Sequence, residues 1–289
     1  MKALILIGGE GTRLRPLTYT TLKCMVPIAN RPFIEYQFAH LKKHGIREVV
    51  LSVCCMPEKI RKAVGSGKRY GVKVEYAVEK EPLGTGGAIR NSLKYLDDTT
   101  IVMNGDILTG IDLTGLLYFH KKVSAAATIA LHEVKDPSAY GLVIADRQGR
   151  VRSFVEKPQK APRGGAWINA GIYVFSREAA EMIPAGVKVS VERETFPAII
   201  EKTGRLFCAK QEGYWLDIGT IEKYKQANFD LLAGKFPPLP GSKKPVRGIL
   251  SAKGTKLAGV IVKRPLVIGK NCGIAAGSSL KNSVIWDNV

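Results

Sequence analysis

The first segment able to perform chemistry is a glycine-rich stretch near the amino terminus, Gly8, Gly9 and Gly11. Glycines after a first strand let backbone N–H groups approach a phosphate closely. Three cations follow within the next dozen residues: Arg13, Arg15 and Lys23. A glycine turn alone is weak evidence, but cations beside such amides are typical of a site for a triphosphate.

Two standard phosphate-binding patterns do not fit this segment. Leu14 stands where the dinucleotide pattern G-x-G-x-x-G requires its last glycine, and Leu14-Arg15 replaces the Gly-Lys of a P-loop. The segment therefore predicts a phosphate site of another type.

Two aspartates occupy positions where a carboxylate needs a partner. Asp106 follows an apolar run at Ile101–Met103, and parallel sheets bind ligands at the carboxyl ends of their strands. Asp217 lies among apolar residues, where a carboxylate requires a cation or hydrogen-bond donors. Either residue alone would also suit a turn or a helix N-cap. Asp106 is thus a candidate metal ligand.

An acidic and a basic residue, Glu156 and Lys157, stand directly before Pro158 at the end of a β-rich run. Proline favours an end to the strand, which would free both side chains for a cleft. An exposed ion pair is the alternative. The histidines have no acidic or cysteine partner at motif spacing, so we expect them at the surface and expect no general base: His40, His44, His120 and His132.

Short apolar runs alternate with helical patterns over the first 110 residues. This order predicts βαβαβ units and an α/β fold with a doubly wound sheet and right-handed crossovers. The predicted strands are Ala3–Ile7, Glu48–Val53, Val72–Ala77 and Thr99–Met103. The predicted helices begin near Pro32, ending at Gly45, and cover Pro57–Val64 and Gly86–Leu96.

The pattern after residue 123 is mixed and β-rich, which indicates an antiparallel extension of the sheet. The β-rich runs are Ala126–Val134, Gly141–Ala145, Arg150–Val155 and Trp167–Phe175. Helices are predicted over Arg177–Ile183, Val191–Lys202 and Thr220–Ala233.

A proline-rich segment, residues 235–247, predicts a linker between a first domain (1–234) and a second (248–289). In the second domain aliphatic residues recur every six positions: Val262, Ile268, Ile274 and Leu280, with Trp286 next. That period is typical of a parallel β-helix. The last repeat has no polar cap, which leaves three alternatives: the segment folds back on the first domain, stacks on another subunit or belongs to a longer β-helix. We favour the second, a homo-oligomer.

Composition limits the possible partners. The 289 residues contain 44 Lys and Arg against 25 Asp and Glu, a net charge of +19 that favours an anionic partner. No aromatic-rich RNA-binding motif or zinc pattern accompanies that charge, so no specific nucleic acid is expected. No apolar run is long enough to span a membrane, and no signal peptide is evident. Five scattered cysteines without C-x-x-C spacing favour a cytoplasmic location.

Spaced motifs along the chain resemble those of the sugar-1-phosphate nucleotidyltransferases. They are Gly8 to Thr18, Lys23 to Pro32, Glu81 to Ala88, Asn104-Gly-Asp106, Tyr140-Gly141, Val155 to Pro158, Ile168 to Gly171 and Tyr214 to Gly219. Cys24 departs from the family, many members of which have proline after the lysine. The resemblance covers residues 1 to about 234 and implies a Rossmann-like mixed sheet. The six-residue repeats resemble the left-handed β-helix that many members append.

This resemblance implies roles for individual residues. It assigns Asp106 and Asp217 to one Mg²⁺, Arg13 and Lys23 to the departing phosphates, and Lys157 to the sugar phosphate. The implied nucleotide-binding residues are Leu6, Gly8, Gly9, Gly11, Thr12, Arg13, Pro82, Gly84 and Thr85. The implied sugar-phosphate-binding residues are Gly141, Glu156, Lys157 and Asn169.

The implied reaction joins a nucleoside triphosphate and a sugar 1-phosphate to a nucleotide-sugar and releases pyrophosphate. The segments Glu81 to Gly87 and Ser190 to Pro197 most resemble those of mannose-1-phosphate guanylyltransferases, which favours GTP and mannose 1-phosphate. Thymidylyl, uridylyl or adenylyl transfer to glucose 1-phosphate is the alternative. A subunit that only senses nucleotide-sugars is a further alternative, although the charged residues needed for catalysis are present.

Overall fold

The computed structural model describes residues 1–9, 11–138, 140–156 and 166–289, with Val155 and Glu156 described by their backbone alone. The strands up to the middle of the chain are β1 Lys2–Ile7, β2 Pro27–Ile28, β3 Arg31–Pro32, β4 Glu48–Val53, β5 Lys73–Val78, β6 Thr99–Asn104, β7 Ile107–Thr109 and β8 Ala127–Val134. Those that follow are β9 Gly141–Ala145, β10 Val151–Glu156, β11 Ala166–Ser176, β12 Leu206–Lys210, β13 Trp215–Asp217, β14 Ile249–Ser251, β15 Ile261–Ile268 and β16 Ser279–Ile285. The α-helices are α1 Phe33–Lys43, α2 Pro57–Val64, α3 Gly84–Asn91, α4 Leu113–Lys122, α5 Arg177–Glu181, α6 Phe196–Thr203 and α7 Ile221–Leu232.

The chain divides into two compact units that do not follow chain order. Unit 1 contains residues 1–9 and 40–215, and unit 2 contains residues 10–39 and 216–289.

Unit 1 is built on a mixed sheet in the order β10-β9-β11-β6-β1-β4-β5. Strands β6, β1, β4 and β5 run parallel, as the βαβ order predicts. Strand β11 pairs antiparallel with β6 and continues the sheet through β9 and β10. β8 pairs with β11, and β12 runs parallel to β8. The predicted antiparallel extension is therefore present, and the whole is a mixed α/β sheet.

Helix α6 closes an aromatic core on one side of this sheet. The Phe196 ring is fully buried and lies 5.4 Å from the Tyr173 ring and 6.1 Å from the Phe175 ring, centroid to centroid. Phe154 stacks on it at 5.5 Å. Truncating such a buried ring costs about 3–5 kcal/mol. Strand β11, which carries two of these rings, is thus held firmly in place.

The sequence patterns missed several elements of unit 1. Helix α4 was not predicted, although Asp112 caps it by accepting a hydrogen bond from the Thr114 N–H at 3.0 Å. Strand β12 was also not predicted, because its partner β8 is distant in sequence. The predicted helix over Val191–Lys202 is a π-helical turn, Val191–Thr195, followed by α6. The predicted helix over Gly86–Leu96 starts earlier, at Gly84, and ends at Asn91.

Unit 2 brings distant segments of the chain together. Asn228 of α7 is fully buried, and its Oδ1 accepts a hydrogen bond from the Ala29 N–H at 2.8 Å. The Tyr224 hydroxyl donates to the Pro27 carbonyl at 2.8 Å. Within the proline-rich segment, Phe236 is buried and its ring lies 6.0 Å from the ring of Tyr36. Part of the predicted linker is therefore packed against α1.

The carboxyl-terminal segment forms a parallel sheet in the order β14-β15-β16. The four aliphatic residues at six-residue spacing pack into one cluster: Val262, Ile268, Ile274 and Leu280. Val262 lies beside Leu280 in the ladder, an offset of 280 − 262 = 18 residues, or three repeats. One residue further along, Lys263 lies beside Lys281, and both are exposed. Trp286 donates to the Tyr224 hydroxyl at 2.7 Å.

Within the part of the chain that the structure describes, no helix combines the length and the apolar character needed to cross a bilayer.

Candidate active site

In unit 1, Asp106 and Leu6 lie at neighbouring carboxyl ends of parallel strands. Leu6 pairs with Asn104, and the Gly105 N–H donates to the Leu6 carbonyl at 2.9 Å. A Cβ on Gly105 would stand 2.5 Å from that carbonyl oxygen, so only glycine permits the turn. The turn places Asp106 just beyond the edge of the sheet, where α/β proteins bind ligands.

The loop that contains Pro82 and Gly84 is anchored by a buried carboxylate. Glu79 accepts hydrogen bonds from the Ser52 hydroxyl at 2.8 Å and from the Leu83 N–H at 3.0 Å. Gly84 has φ +68°, and a Cβ there would stand 2.6 Å from the Val189 carbonyl oxygen. The backbone of this loop is therefore fixed on both sides, by Glu79 and by Val189.

The Thr85 hydroxyl is engaged inside the protein. It accepts a hydrogen bond from the Val191 N–H at 2.9 Å and lies 3.4 Å from Glu192 Oε2. Thr85 therefore joins the start of α3 to the π-helical turn. If Thr85 binds a nucleotide, it does so through its backbone N–H at the start of the helix.

Asn169 lies at an irregularity in β11, where the pairing with β8 shifts between Asn169 and Tyr173. Its Oδ1 accepts from the Gly171 N–H at 2.9 Å, and its Nδ2 donates to the Tyr173 hydroxyl at 3.0 Å. The Tyr173 hydroxyl in turn donates to Glu192 Oε1 at 3.2 Å. Both ends of the Asn169 amide are thus fixed in orientation.

Burial raises the pKa of Tyr173 well above its usual range, and the carboxylates of Glu192 and Asp106 raise it further. The phenol therefore stays protonated and acts as a hydrogen-bond donor. The sequence analysis gave Tyr173 and Glu192 no role, although Glu192 lies in a segment singled out for its resemblance. The burial of Tyr173 beside a π-helical turn could not be predicted from the sequence and is shown only by the folded structure.

Three of the residues implied for the sugar phosphate lie on neighbouring strands of unit 1. Glu156, the last residue of β10, pairs with Gly141, the first residue of β9. Leu142 pairs with Ile168, which brings the backbones of Gly141 and Asn169 close together. The predicted phosphate ligand Lys157 lies outside the described residues, as does the side chain of Glu156.

In unit 2, the segment after the first glycines folds back on itself. Gly11 has φ +66°, and a Cβ there would stand 3.1 Å from the Thr18 side chain and 3.3 Å from that of Lys23. The Thr18 hydroxyl donates to the Gly11 carbonyl at 2.7 Å. Thr12 and Arg13 lie in the 3₁₀ turn Thr12–Leu14. The structure thus brings Gly11 and Lys23 together.

Arg13 and Asp217 both approach Gly219 in the same unit. The position of a Cβ on Gly219 is 3.2 Å from Asp217 Oδ2 and 3.4 Å from Arg13 Nη2. The Lys223 ammonium group lies against Asp217 Oδ1. Sequence spacing gave no indication of Lys223, since residues six apart are not in contact within one helix or one strand.

The donor atoms of Asp106 and Asp217 suit a hard divalent cation, which prefers carboxylate oxygens. Asp217 already attracts cations, since a lysine occupies one of its oxygens. In residues 1–9, 11–138, 140–156 and 166–289, no group of three His, Cys, Asp or Glu side chains is placed to hold a metal. A divalent cation such as Mg²⁺ commonly uses one or two carboxylates and takes its other ligands from phosphate and water.

The expected surface location of the histidines is wrong for two of them. His40 and His120 are buried, at 7% and 4% exposure. Burial lowers the pKa of each to about 4, assisted by His44 and Lys43 for His40 and by Lys121 for His120. Helical spacing could have indicated this, because His40 follows the buried Tyr36 by four residues, and His120 follows the buried Leu116 by four.

Comparison with known proteins identifies the family of the chain. Residues 2–234 match the family described as Nucleotidyl transferase. The chain belongs to this family, whose members generally use a divalent metal.

Two curated relatives align with nearly the whole chain. One is the mannose-1-phosphate guanylyltransferase of Mycobacterium tuberculosis, which is 38% identical over 99% of this chain and 80% of its own. The other is a UTP--glucose-1-phosphate uridylyltransferase of Synechocystis sp., which is 30% identical over 99% of this chain and 83% of its own.

A solved structure has the same fold. HddC from Yersinia pseudotuberculosis is 32% identical, with a TM-score of 0.68 over 78% of this chain and 97% of its own. A second crystal structure of HddC is complexed with GMP-PN.

Proposed function

We propose that the protein transfers the guanylyl group of GTP to mannose 1-phosphate, giving GDP-mannose and pyrophosphate. The observation that carries the proposal is the 38% identity, over 99% of the chain, to a mannose-1-phosphate guanylyltransferase. The complex of HddC with GMP-PN supports a guanine nucleotide.

The proposed step is a displacement at the α-phosphorus. An oxygen of the sugar 1-phosphate forms the new P–O bond, and the bond to the β-phosphate oxygen breaks, so that its electron pair leaves with pyrophosphate. A phosphate monoester is already anionic, so the step needs no general base. Catalysis then depends on positioning the two substrates for attack and on neutralising the charge of their phosphates.

The charged residues divide between the two ends of the reaction. We assign Arg13 and Lys23 to the β- and γ-phosphates, whose charge increases as pyrophosphate departs. Lys157 is assigned to the sugar phosphate, and Glu156, Gly141 and Asn169 to the sugar. The hydrogen bonds that fix both ends of the Asn169 amide support its role, because a fixed amide orients a sugar hydroxyl.

For the nucleotide, the proposal uses backbone amides at two glycine-rich segments. The first contains Gly8, Gly9, Gly11 and Thr12 beyond Leu6, and the second contains Pro82, Gly84 and Thr85. The anchoring of Leu83 by Glu79 supports the second assignment, because fixed amides stabilise charge without reorganisation.

We propose Mg²⁺ as the divalent metal, with Asp106 and Asp217 as its ligands. When bound, the ion supplies neutralisation of phosphate charge. The two carboxylates would hold it, and Arg13, which also approaches Gly219, would add positive charge near the phosphates.

A matrix of substrates tests the function. Pyrophosphate release is measured with each of GTP, UTP, dTTP, ATP and CTP against mannose, glucose and N-acetylglucosamine 1-phosphates. We expect the largest kcat/KM for GTP with mannose 1-phosphate. A preference for UTP with glucose 1-phosphate would instead support the uridylyl alternative, for which the Synechocystis relative is the supporting observation. Absence of turnover with every pair would favour a sensing subunit.

We also propose a catalytic domain of residues 1–234, a linker of 235–247 and a carboxyl-terminal β-helix of 248–289, in a cytoplasmic homo-oligomer. The three-repeat offset between Val262 and Leu280 supports the β-helix. Sedimentation equilibrium of the whole chain over a hundredfold concentration range tests the assembly, and a monomer throughout would contradict it.

A further inference from the structure

Lys223 occupies a carboxylate oxygen that the proposed function gives to a metal. Its ammonium group lies against Asp217 Oδ1, and the two side chains are 27% and 17% exposed. This pair is partly shielded from water, where an ionic contact is stronger than one on the open surface.

The position of Lys223 in its helix is unusual for a lysine. Thr220 is the N-cap of α7, and its hydroxyl accepts a hydrogen bond from the Lys223 N–H at 3.3 Å. Lys223 is therefore the third residue of the helix, where glutamate or glutamine is preferred and where the helix dipole disfavours a cation. The contact with Asp217 offsets this local disadvantage. The ion pair with Asp217, and not a helix preference, therefore explains a lysine at this position.

Asp217 thus lies near two protein cations. Arg13 approaches it beside Gly219, and Lys223 contacts its other oxygen. These contacts fix the orientation of the carboxylate, and the ammonium group already offsets much of its charge. A dication that binds there has to replace an ammonium group.

We infer that Lys223 is a built-in counter-ion of Asp217 that competes with the divalent metal for Oδ1 and so sets the metal affinity of the site. The inference rests on the proposed role of Asp217 as a metal ligand. Binding is an exchange of cations at one oxygen, with no covalent change. The released ammonium group is partly exposed and gains hydration in return.

The test measures Mn²⁺ binding without substrate, from the electron paramagnetic resonance signal of free Mn²⁺ in titrations of the whole chain. Lys223→Met keeps the aliphatic stem and removes the charge, and Lys223→Gln serves as a second variant with a polar side chain. Lys223→Arg retains the charge. Lys225→Met, an exposed lysine on the same helix, is the matched control.

We expect the Kd for Mn²⁺ to fall about tenfold in Lys223→Met and in Lys223→Gln, and to remain within about twofold of the parent in Lys223→Arg and Lys225→Met. In an Asp217→Asn background, Lys223→Met should no longer change the Kd. Thermal unfolding of each variant verifies that it is folded.

Other results overturn the inference. An unchanged or weaker affinity in Lys223→Met would exclude competition. An equal gain in Lys225→Met, or a gain that persists in the Asp217→Asn background, would show only a general effect of charge. If Asp217→Asn by itself leaves the Kd unchanged, it is the proposed metal role of Asp217 that fails.

Discussion

The Tyr173 hydroxyl donates a hydrogen bond to Glu192 Oε1 across 3.2 Å, from the middle of a central strand to a π-helical turn. The same hydroxyl accepts from Asn169, so one buried phenol fixes a residue implied for sugar binding and the turn beside it. The orientation of Asn169 therefore depends on a side chain that has no direct place in the implied site.

Tyr173→Phe should destabilise the fold and impair sugar binding together. Loss of the hydroxyl leaves partly buried groups of Asn169 and Glu192 without this partner, at a cost of about 1 kcal/mol or more. We expect that loss in urea unfolding and a severalfold higher KM for the sugar 1-phosphate, with little change in KM for the nucleotide. Tyr118→Phe is the control, because Tyr118 is 69% exposed. Equal KM values in both variants would contradict the positioning role.

Asp106→Asn and Asp217→Asn should each reduce metal-dependent kcat by at least about 10²–10³-fold, since a neutral amide is a poor ligand for a hard dication. Pyrophosphate release measures the loss, and circular dichroism verifies that the fold is intact. Turnover within a few-fold of the parent in either variant would remove that aspartate from the proposed site.

Gly219→Ala should reduce activity with little effect on stability. An added methyl group would stand 3.2 Å from Asp217 Oδ2 and 3.4 Å from Arg13 Nη2, so one of the two side chains has to move. We expect kcat to fall by about tenfold or more, because misplaced charges lose transition-state stabilisation. Gly273→Ala is the matched control, since no atom lies within 4 Å of its added methyl group. The idea fails if both alanine variants keep full activity.

Stability should decrease as the pH falls from about 6.5 to 4, partly because of His120. Burial lowers the pKa of His120 to about 4, whereas an unfolded histidine titrates near 6.5. Between these values the unfolded chain binds a proton that the native state does not, so the contribution is complete above pH 6.5 and is lost below it.

The pH dependence can be measured as the free energy of urea unfolding at pH 7.0 and 5.5. One such histidine contributes at most about 1.4 kcal/mol per pH unit. His120 Nδ1 lies 2.9 Å from the Thr128 hydroxyl. His120→Gln, which keeps a polar group for that hydroxyl, should flatten the dependence. If the unfolding free energy of that variant depends on pH as steeply as in the parent, other groups cause the dependence. The buried His40 is the first of them to examine.

Much of the fold could be predicted because its signals are local. The continuous apolar runs at Glu48–Val53 and Thr99–Met103 required buried parallel strands, and the structure has β4 and β6 there. Strand β12 escaped prediction because it is short and is stabilised by pairing with β8, about 80 residues earlier. The local hydrophobic periodicity of a segment does not indicate a partner strand so distant in sequence.

The candidate site likewise contains features that local sequence signals predict and contacts that they do not. Placing Asp106 at a strand end followed from the apolar run before it and from the general behaviour of parallel sheets. The contacts of Asp217 with Lys223 and of Tyr173 with Glu192 follow from the path of the backbone through a helix cap and a π-helical turn. Neither spacing is a helical or strand repeat, and so only the folded chain reveals them.

Lys263 and Lys281 stand side by side on adjacent parallel strands, which lie about 4.8 Å apart. Their ammonium groups repel each other, and dissolved salt screens that repulsion. Added salt weakens the attraction within an exposed ion pair, and in the same way it weakens the repulsion between these two lysines. Rising ionic strength therefore weakens a repulsion within the carboxyl-terminal sheet, which we expect to favour the folded sheet.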